Sequence, residues 1–556
     1  MLLTLLFAVL LGFRLGSYEL ANPDEGRYAE IPREMVATND YVTPRLNGVN
    51  YFEKPPFVYW AVAGCLRLFG PSEWSVRVVP AFFSLAGILL TYAAARRLIG
   101  RNAGIASAVV LGTSLLYFAL SRILILDMVV SVLMSASLFC FILGIREAAG
   151  RKRRWFFYGL YASAALATLS KGLIGVLVPG AVMFFWLLVL NQWRRLRPFY
   201  LPTGALLFLA IALPWHLLAA AHNETWVQRY FVYEHWLRFS SPVASRPGQW
   251  WYFIPIVLGG LFPWVGFLWV SLKNNLSGGW AAREKNREAW FFVIWAAFIF
   301  LFFSKSQSKL IPYILPVFPP LALLIGSWLA AASEQSSTAL RTGLRVFSFV
   351  SGFLAVAMLV IVLNIGNNNV IREPEQMLAL RPYGCFLAAV MLIGGILAPW
   401  LAAKRSSRSA LTSMLVTIGL FFVTLTYAAP DLQKPGTRIL ALAVKARVQP
   451  GDRVMHYHEF FHDFTYYAGQ VVDVVNYKGE LELEEDAAAR SSGRFLAEAE
   501  FRNLWEQPGR IYAVARKKDV VASKNGRPTG NLFGDQTFHY HLLAESPDHY
   551  LFSNQP

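Results

Sequence analysis

Three cysteines in 556 residues leave no basis for a disulfide framework. Cys65, Cys140 and Cys385 each fall in an apolar stretch, where a thiol behaves as a small buried hydrophobe. Charge is scarce as well: charged residues make up 15% of the chain against 56% hydrophobic ones, and mean hydropathy is +0.42. That balance excludes an ordinary soluble enzyme and describes a polytopic membrane protein. Acids are scarcer than bases, 34 against 51, for a net charge of +17. The surplus does not point to nucleic acid. Residues 430–556 hold 15 Lys/Arg and 17 Asp/Glu, so the excess lies in residues 1–429, mostly in short loops between apolar segments, where it sets membrane orientation. Internal repeats and low-complexity segments are missing too. Arg14 interrupts the first apolar stretch and no small-residue cleavage site follows, so that stretch reads as a retained span, not a signal peptide.

What is present is a series of apolar runs. A span needs about 20 such residues. Thirteen segments qualify: 1–18, 73–95, 102–120, 123–145, 155–170, 172–191, 199–220, 252–272, 289–304, 310–331, 346–364, 383–403 and 410–429. Residues 57–70 are also apolar, but they are short, follow Pro55-Pro56 and contain Arg67, so they read as an interfacial helix. Parity supports thirteen. With the N-terminus cytoplasmic, the six even-numbered loops carry 3, 5, 3, 4, 2 and 3 Lys/Arg, the distribution expected of inside loops. The expected fold is thus a polytopic α-helical membrane protein. Residues 1–429 form the membrane part with outer loops 19–72 and 221–251, and residues 430–556 form a periplasmic or extracellular α/β domain. In that tail Arg438–Val448 reads as a helix. Arg453–His458, Val471–Tyr477, Arg510–Ala515 and the stretch from Phe538 read as strands.

Ionisable residues at membrane depth cost free energy and so mark functional sites by default. Here parity puts them all on the outer side: Asp24 to Glu34, Glu53-Lys54, Asp127, Lys171, the loop 221–251 and Lys305 to Lys309. Asn22-Pro23 reads as the N-cap and first turn of a helix, with Asp24 and Glu25 favouring its dipole. That accounts for the acids but not for Arg27, Tyr28, Glu30, Arg33 and Glu34 beside a membrane. Lys54, made rigid by Pro55-Pro56, suits either a snorkelling interfacial lysine or a grip on a lipid phosphate. Asp127 calls either for a structural partner, Arg122 or Lys171, or for a polar cavity that meets a sugar. Arg238, in the aromatic segment Trp226–Phe239, suits either an interfacial belt or a second phosphate ligand. Glu53, Glu234 and His235 are possible ligands of a divalent metal, zinc or magnesium, although so few donors are a weak signal. Tyr313 stands at the mouth of a proline-broken span, and such backbone is tolerated where it lines a cavity. His456, His458 and His462 have metal-like spacing, but strand alternation favours plain surface or core histidines.

Three stretches carry a resemblance: Pro23-Asp24-Glu25-Gly26-Arg27-Tyr28-Ala29-Glu30, Tyr51-Phe52-Glu53-Lys54-Pro55, and Lys309-Leu310-Ile311-Pro312-Tyr313-Ile314-Leu315-Pro316. Together they resemble the bacterial 4-amino-4-deoxy-L-arabinose transferases that modify lipid A. More broadly, they resemble the C-type membrane glycosyltransferases, which include protein O-mannosyltransferases and oligosaccharyltransferases. The resemblance implies transfer of an amino sugar from undecaprenyl phosphate to a lipid A phosphate at the periplasmic face of the bacterial inner membrane. Resistance to polymyxin and other cationic peptides is the implied phenotype. It also implies catalytic roles for Asp24, Asp127 and Lys171, and substrate contacts for Lys54, Arg238 and Tyr313 with Glu25, Arg27, Tyr28 and Tyr51. A monomer that meets membrane lipid, with no nucleic-acid partner and no certain cofactor, is expected. Two rivals remain. One is a transferase of the same fold with a protein or glycan hydroxyl acceptor. The other is a polyprenyl-sugar flippase, which predicts inverted repeats and midplane charges.

Overall fold

The computed structural model describes residues 1–231, 248–332, 338–364, 374–477, 479, 481, 486–521 and 532–556. They divide into two compact units. The first comprises Met1–Leu15, Arg77–Leu218 and Tyr230–Leu432, and the second Gly16–Val76, Ala219–Arg229 and Gln433–Pro556.

The first unit is helical. Its early elements are α1 (Leu2–Gly12), and then, after α2 (Asp24–Thr38) and α3 (Phe57–Phe69) of the other unit, α4 (Glu73–Leu98), α5 (Arg101–Gly112), α6 (Leu115–Leu120), α7 (Leu126–Gly144), α8 (Arg151–Lys171), α9 (Ile174–Leu190) and α10 (Leu201–His222). All thirteen expected segments are helical, but not all are long, unbroken spans. Among the described residues eight helices are long and apolar enough to cross a membrane. A ninth counts if Phe253–Gly260 and Val265–Asn275, bent by 96°, form one broken span. Gly259, Gly260 and Pro263 lie at that bend, and glycine and proline are the usual causes of such a break. The other four segments are shorter, split or basic at one end. Residues 1–18 yield only 11 helical residues, 102–120 divides at Thr113-Ser114, α8 opens on four consecutive bases, and α9 has 17 residues.

Small residues let these helices approach closely, as lipid-embedded interfaces require. A Cβ on Gly326 would lie 2.4 Å from the Ser107 backbone nitrogen, and one on Gly175 2.3 Å from the Ala167 carbonyl carbon. Aromatic rings fill the remaining space. Phe141, Trp186, Phe291 and Trp295 form one edge-to-face cluster, and the two indoles donate to the carbonyls of Arg287 and Pro316 at 3.0 Å.

In the second unit, residues 45–50 form a hairpin of β1 (Arg45–Leu46) and β2 (Val49–Asn50). Its turn is Asn47-Gly48, both at positive φ (54° and 70°), the backbone such a two-residue turn needs. The tail carries six strands: β3 (Arg453–Tyr457), β4 (Asp473–Val475), β5 (Phe495–Leu496), β6 (Ile511–Arg516), β7 (His541–Glu545) and β8 (His549–Ser553). They lie in the order β5-β4-β3-β6-β8-β7, the first four parallel and the last two antiparallel. The expected helix is present over Arg438–Lys445. A core of Met455, Tyr457, Val475, Phe501, Trp505, Ala513 and Phe552 lies on one side of the sheet.

Candidate active site

The motif residues of the second unit collect around one carboxylate. Tyr51, buried, donates its hydroxyl to the Glu53 carboxylate. Lys54 Nζ donates to the Glu53 carbonyl at 3.0 Å and to Glu53 Oε1 at 3.2 Å, and Arg27 Nη1 lies 3.8 Å from Glu53 Oε2. Tyr28 stacks on Tyr59, with ring centroids 6.2 Å apart. Burial and then the Glu53 charge push the Tyr28 and Tyr51 hydroxyls far above the ordinary tyrosine range, so both stay protonated donors. Five of the expected residues, Arg27, Tyr28, Tyr51, Glu53 and Lys54, are thus brought together. Glu53, named with Glu234 and His235 as a candidate metal ligand, is the shared counter-ion of this cluster. Its oxygens are taken by Tyr51, Lys54 and Arg27, and two cations beside it disfavour a third. Among the described residues no group of three His, Cys, Asp or Glu is placed to hold a metal ion. His235, Glu234 and Arg238 lie outside the described residues.

Asp24 is exposed at the head of α2. Asn22 does not cap that helix, contrary to the expectation from its position: Pro23 occupies the N-cap and makes no side-chain cap bond. Asn22 turns instead to the tail. Its amide donates to Asp463 Oδ1, and its Oδ1 accepts the Asp463 backbone N–H at 3.0 Å. Glu25, buried, accepts the Ala21 N–H at 3.0 Å, closing the turn before the helix. Further along α2, Glu30 and Arg33 form a doubly bonded pair at 2.6 and 2.7 Å. Glu34 accepts the N–H groups of Asn47 and Gly48 at 2.5 and 2.9 Å. Burial pushes the Glu30 carboxyl up to about 8, and Glu34 is raised in the same direction by the same cause.

In the first unit, Lys171, the last residue of α8, meets Asp127, in the first turn of α7, at 2.5 Å. Of the two partners expected for Asp127, the structure selects Lys171. Arg122 instead donates to the carbonyls of Leu11 at 2.9 Å and Phe13 at 2.7 Å, at the C-terminal end of α1. Lys171 Nζ also stands 4.5 Å from the Tyr313 ring centroid. Tyr313 lies on a 3-10 turn, Ile311–Val317, whose interior Pro316 removes an α-helical hydrogen bond. Asp127, Lys171 and Tyr313 are therefore one cluster.

Of the tail histidines, His456 and His462 both pack on the Phe460 ring, with centroids 5.7 and 4.8 Å away. His456 is wholly buried on β3, and its Nδ1 accepts the Phe461 N–H at 3.2 Å. His458 faces Glu498 at 3.3 Å, and His462 is buried at the head of the helix His462–Ala468. Sequence reasoning missed Asp463 and Asn47 as contributors. The Asn47-Gly48 dipeptide was the one available signal, since it marks a tight hairpin.

A family profile described as dolichyl-phosphate-mannose-protein mannosyltransferase matches residues 53–217. The chain is 31% identical over 391 residues, 69% of each protein, to an undecaprenyl phosphate-alpha-4-amino-4-deoxy-L-arabinose arabinosyl transferase of Pectobacterium carotovorum subsp. carotovorum (strain PC1). A protein of the same description from Aeromonas salmonicida (strain A449) is 30% identical over 429 residues, 75% of each. The match to that of Edwardsiella ictaluri (strain 93-146) is 31% over 345 residues and spans 61% of that protein's length. Among solved structures, ArnT from Cupriavidus metallidurans bound to undecaprenyl phosphate superposes with a TM-score of 0.84 at 27% identity, covering 100% of this chain and 97% of that one.

Proposed function

The chain belongs to the undecaprenyl phosphate-aminoarabinose arabinosyl transferase family, and from that premise we propose that it moves 4-amino-4-deoxy-L-arabinose from undecaprenyl phosphate to a phosphate of lipid A. The observation that carries this reading is the cluster Arg27–Glu53–Lys54. Arg27 and Lys54 are held beside one carboxylate, and guanidinium and ammonium donors fixed in this way suit a lipid-linked phosphate. The reaction exchanges one phosphate ester for another. The bond from the sugar's anomeric carbon to the donor phosphate oxygen breaks, and undecaprenyl phosphate leaves with the electron pair. An oxygen of the lipid A phosphate forms the new bond to that carbon. The acceptor is already an anion, so its activation needs no strong base. Fixed positive charge at the departing phosphate is the larger requirement, and a preorganised cation supplies it without rearrangement. Tyr51 and the carbonyl of Glu53 hold that arrangement. Asp24, exposed at the head of its helix, suits a carboxylate that positions the acceptor or steadies an oxocarbenium-like centre.

We place this chemistry at the periplasmic face of the inner membrane, with polymyxin resistance as its consequence. The profile match over residues 53–217 favours, as a second reading, a hydroxyl acceptor on a protein or glycan. The test is mass spectrometry of lipid A from cells with the donor pathway intact, carrying the wild-type chain or Lys54→Ala. An aminopentose added by the wild type and lost in the variant is the expected result. Unmodified lipid A in both, with both proteins folded in the membrane, would move the reading to the hydroxyl acceptor. Full modification by Lys54→Ala would remove Lys54 from the phosphate site.

A further inference from the structure

The parallel strands of the tail run β5-β4-β3-β6: the chain winds outward from β3 to β5 and then crosses back to the other side of β3 as β6. In doubly wound sheets of this order, ligands bind beyond the carboxyl ends of the strands at that reversal, here between β3 and β6. Glu459, just after β3, pairs with Arg516 at the end of β6, so the reversal is closed by an ion pair. Next in sequence come His462 and Asp463, and what meets them is the segment that carries Asp24. A Cβ on Gly26 would lie 2.6 Å from the Asp463 nitrogen and 2.8 Å from the His462 carbonyl carbon, so the first turn of α2 sits on this backbone with no side chain between. Gly436 approaches from the other side, where a Cβ would stand 2.4 Å from Asp463 Oδ2.

Asp463 is fully buried and both of its carboxylate oxygens are hydrogen-bonded. Oδ2 accepts the Thr437 N–H at 2.7 Å, and Oδ1 accepts the Thr437 hydroxyl at 2.9 Å and the Asn22 amide. With the returning bond from its own N–H to Asn22, it locks Asn22 in two directions, two residues ahead of Asp24.

We propose that Asp463 is a positioning residue for transfer: through Asn22 it sets the placement of Asp24, so the tail domain offers the active-site loop the place where a doubly wound domain usually holds its ligand. The inference rests on the role given to Asp24 above. Asp463→Asn replaces an all-acceptor group with one that also carries an N–H donor, and two of its partners, the Thr437 N–H and the Asn22 amide, can only donate to it. The lock then fails while the volume is kept.

The experiment uses the full-length chain in lipid nanodiscs, with Asp463→Asn, Asn22→Ala, the double variant and Asp24→Asn. Transfer kinetics are normalised to folded protein, and hydrogen exchange is followed on peptides covering residues 20–31. A shift of the order of 1 Å in a reacting group costs roughly a hundredfold in rate. The expectation is therefore a fall of about ten- to a hundredfold in kcat for either single variant, with KM for the donor within about threefold. The double variant should be no worse than the singles, and exchange in 20–31 should quicken in all three. Unchanged kcat and unchanged exchange in Asp463→Asn overturns the proposal. So does a double variant whose losses multiply. If Asp24→Asn keeps full kcat, the role of Asp24 falls instead. The exchange data then decide by themselves whether Asp463 holds the loop.

Discussion

Separating Lys171 from Asp127 gives a direct measure of what the membrane unit invests in this pair. Both side chains are about 15% exposed, and Nζ lies 2.5 Å from Oδ1. At an effective dielectric of about 20, two unit charges at that distance attract by roughly 6–7 kcal/mol. Desolvation of the two ions offsets much of this gain, so the pair as a whole is near neutral for stability. Removing one partner is different, because the remaining charge loses its counter-ion in this pair, and the expected cost is about 3–5 kcal/mol. Lys171→Met and Asp127→Leu should each destabilise the protein by that amount. The double variant Asp127→Leu/Lys171→Met should lie within about 1 kcal/mol of the wild type. Equilibrium unfolding in mixed micelles, followed by tryptophan fluorescence, reads all four corners of this double-mutant cycle. The reasoning is refuted if each single variant costs under about 1 kcal/mol, or if the double variant equals the sum of the singles.

Two further outcomes follow from the second unit. Gly26→Ala puts a methyl group within 2.6–2.8 Å of backbone atoms that cannot rotate away, and should cost about 1–3 kcal/mol by overpacking; a lowered melting temperature for Gly26→Ala, with no change for alanine at the open position Gly64, checks it. Glu30 carries the pH dependence. Its folded value of about 8 lies above the ordinary 4.5, so the folded state keeps a proton that the unfolded chain releases. Stability from this group is full below about pH 4.5 and declines as pH rises to about 8, by up to roughly 5 kcal/mol at 1.36 kcal/mol per pH unit. Glu30→Gln should flatten that slope; an unchanged profile of melting temperature against pH would assign it elsewhere.

Several of these features were legible in the residues alone. Each run of apolar residues became helix, and Asp127 found one of its two named partners. The motifs around Tyr28 and Tyr51 met, because each is short and they share one loop. Other features were hidden for physical reasons. A local rule makes Asn22 a cap, but its partner Asp463 lies 441 positions away, and no spacing rule reaches that far. Glu53 was a candidate metal ligand only together with Glu234 and His235, which lie outside the described residues. Only the fold shows that Arg27 and Lys54 take its charge. The two-residue strand β5 is too short for alternation to register. The bend between Gly260 and Val265 was read through, because composition stays apolar across it.

The Arg122 guanidinium has a consequence for the order of synthesis. It donates to carbonyls at the end of α1 that lie 111 residues earlier in the chain. Until the ribosome has made that arginine, those carbonyls, at the open C-terminal end of an 11-residue helix, need other donors. At about 5–20 residues per second the wait is roughly 5–20 s. A newly inserted α1 must therefore pass that interval next to water, headgroups or the insertion machinery. Pausing translation before residue 122 should leave α1 easier to extract with carbonate than pausing after it.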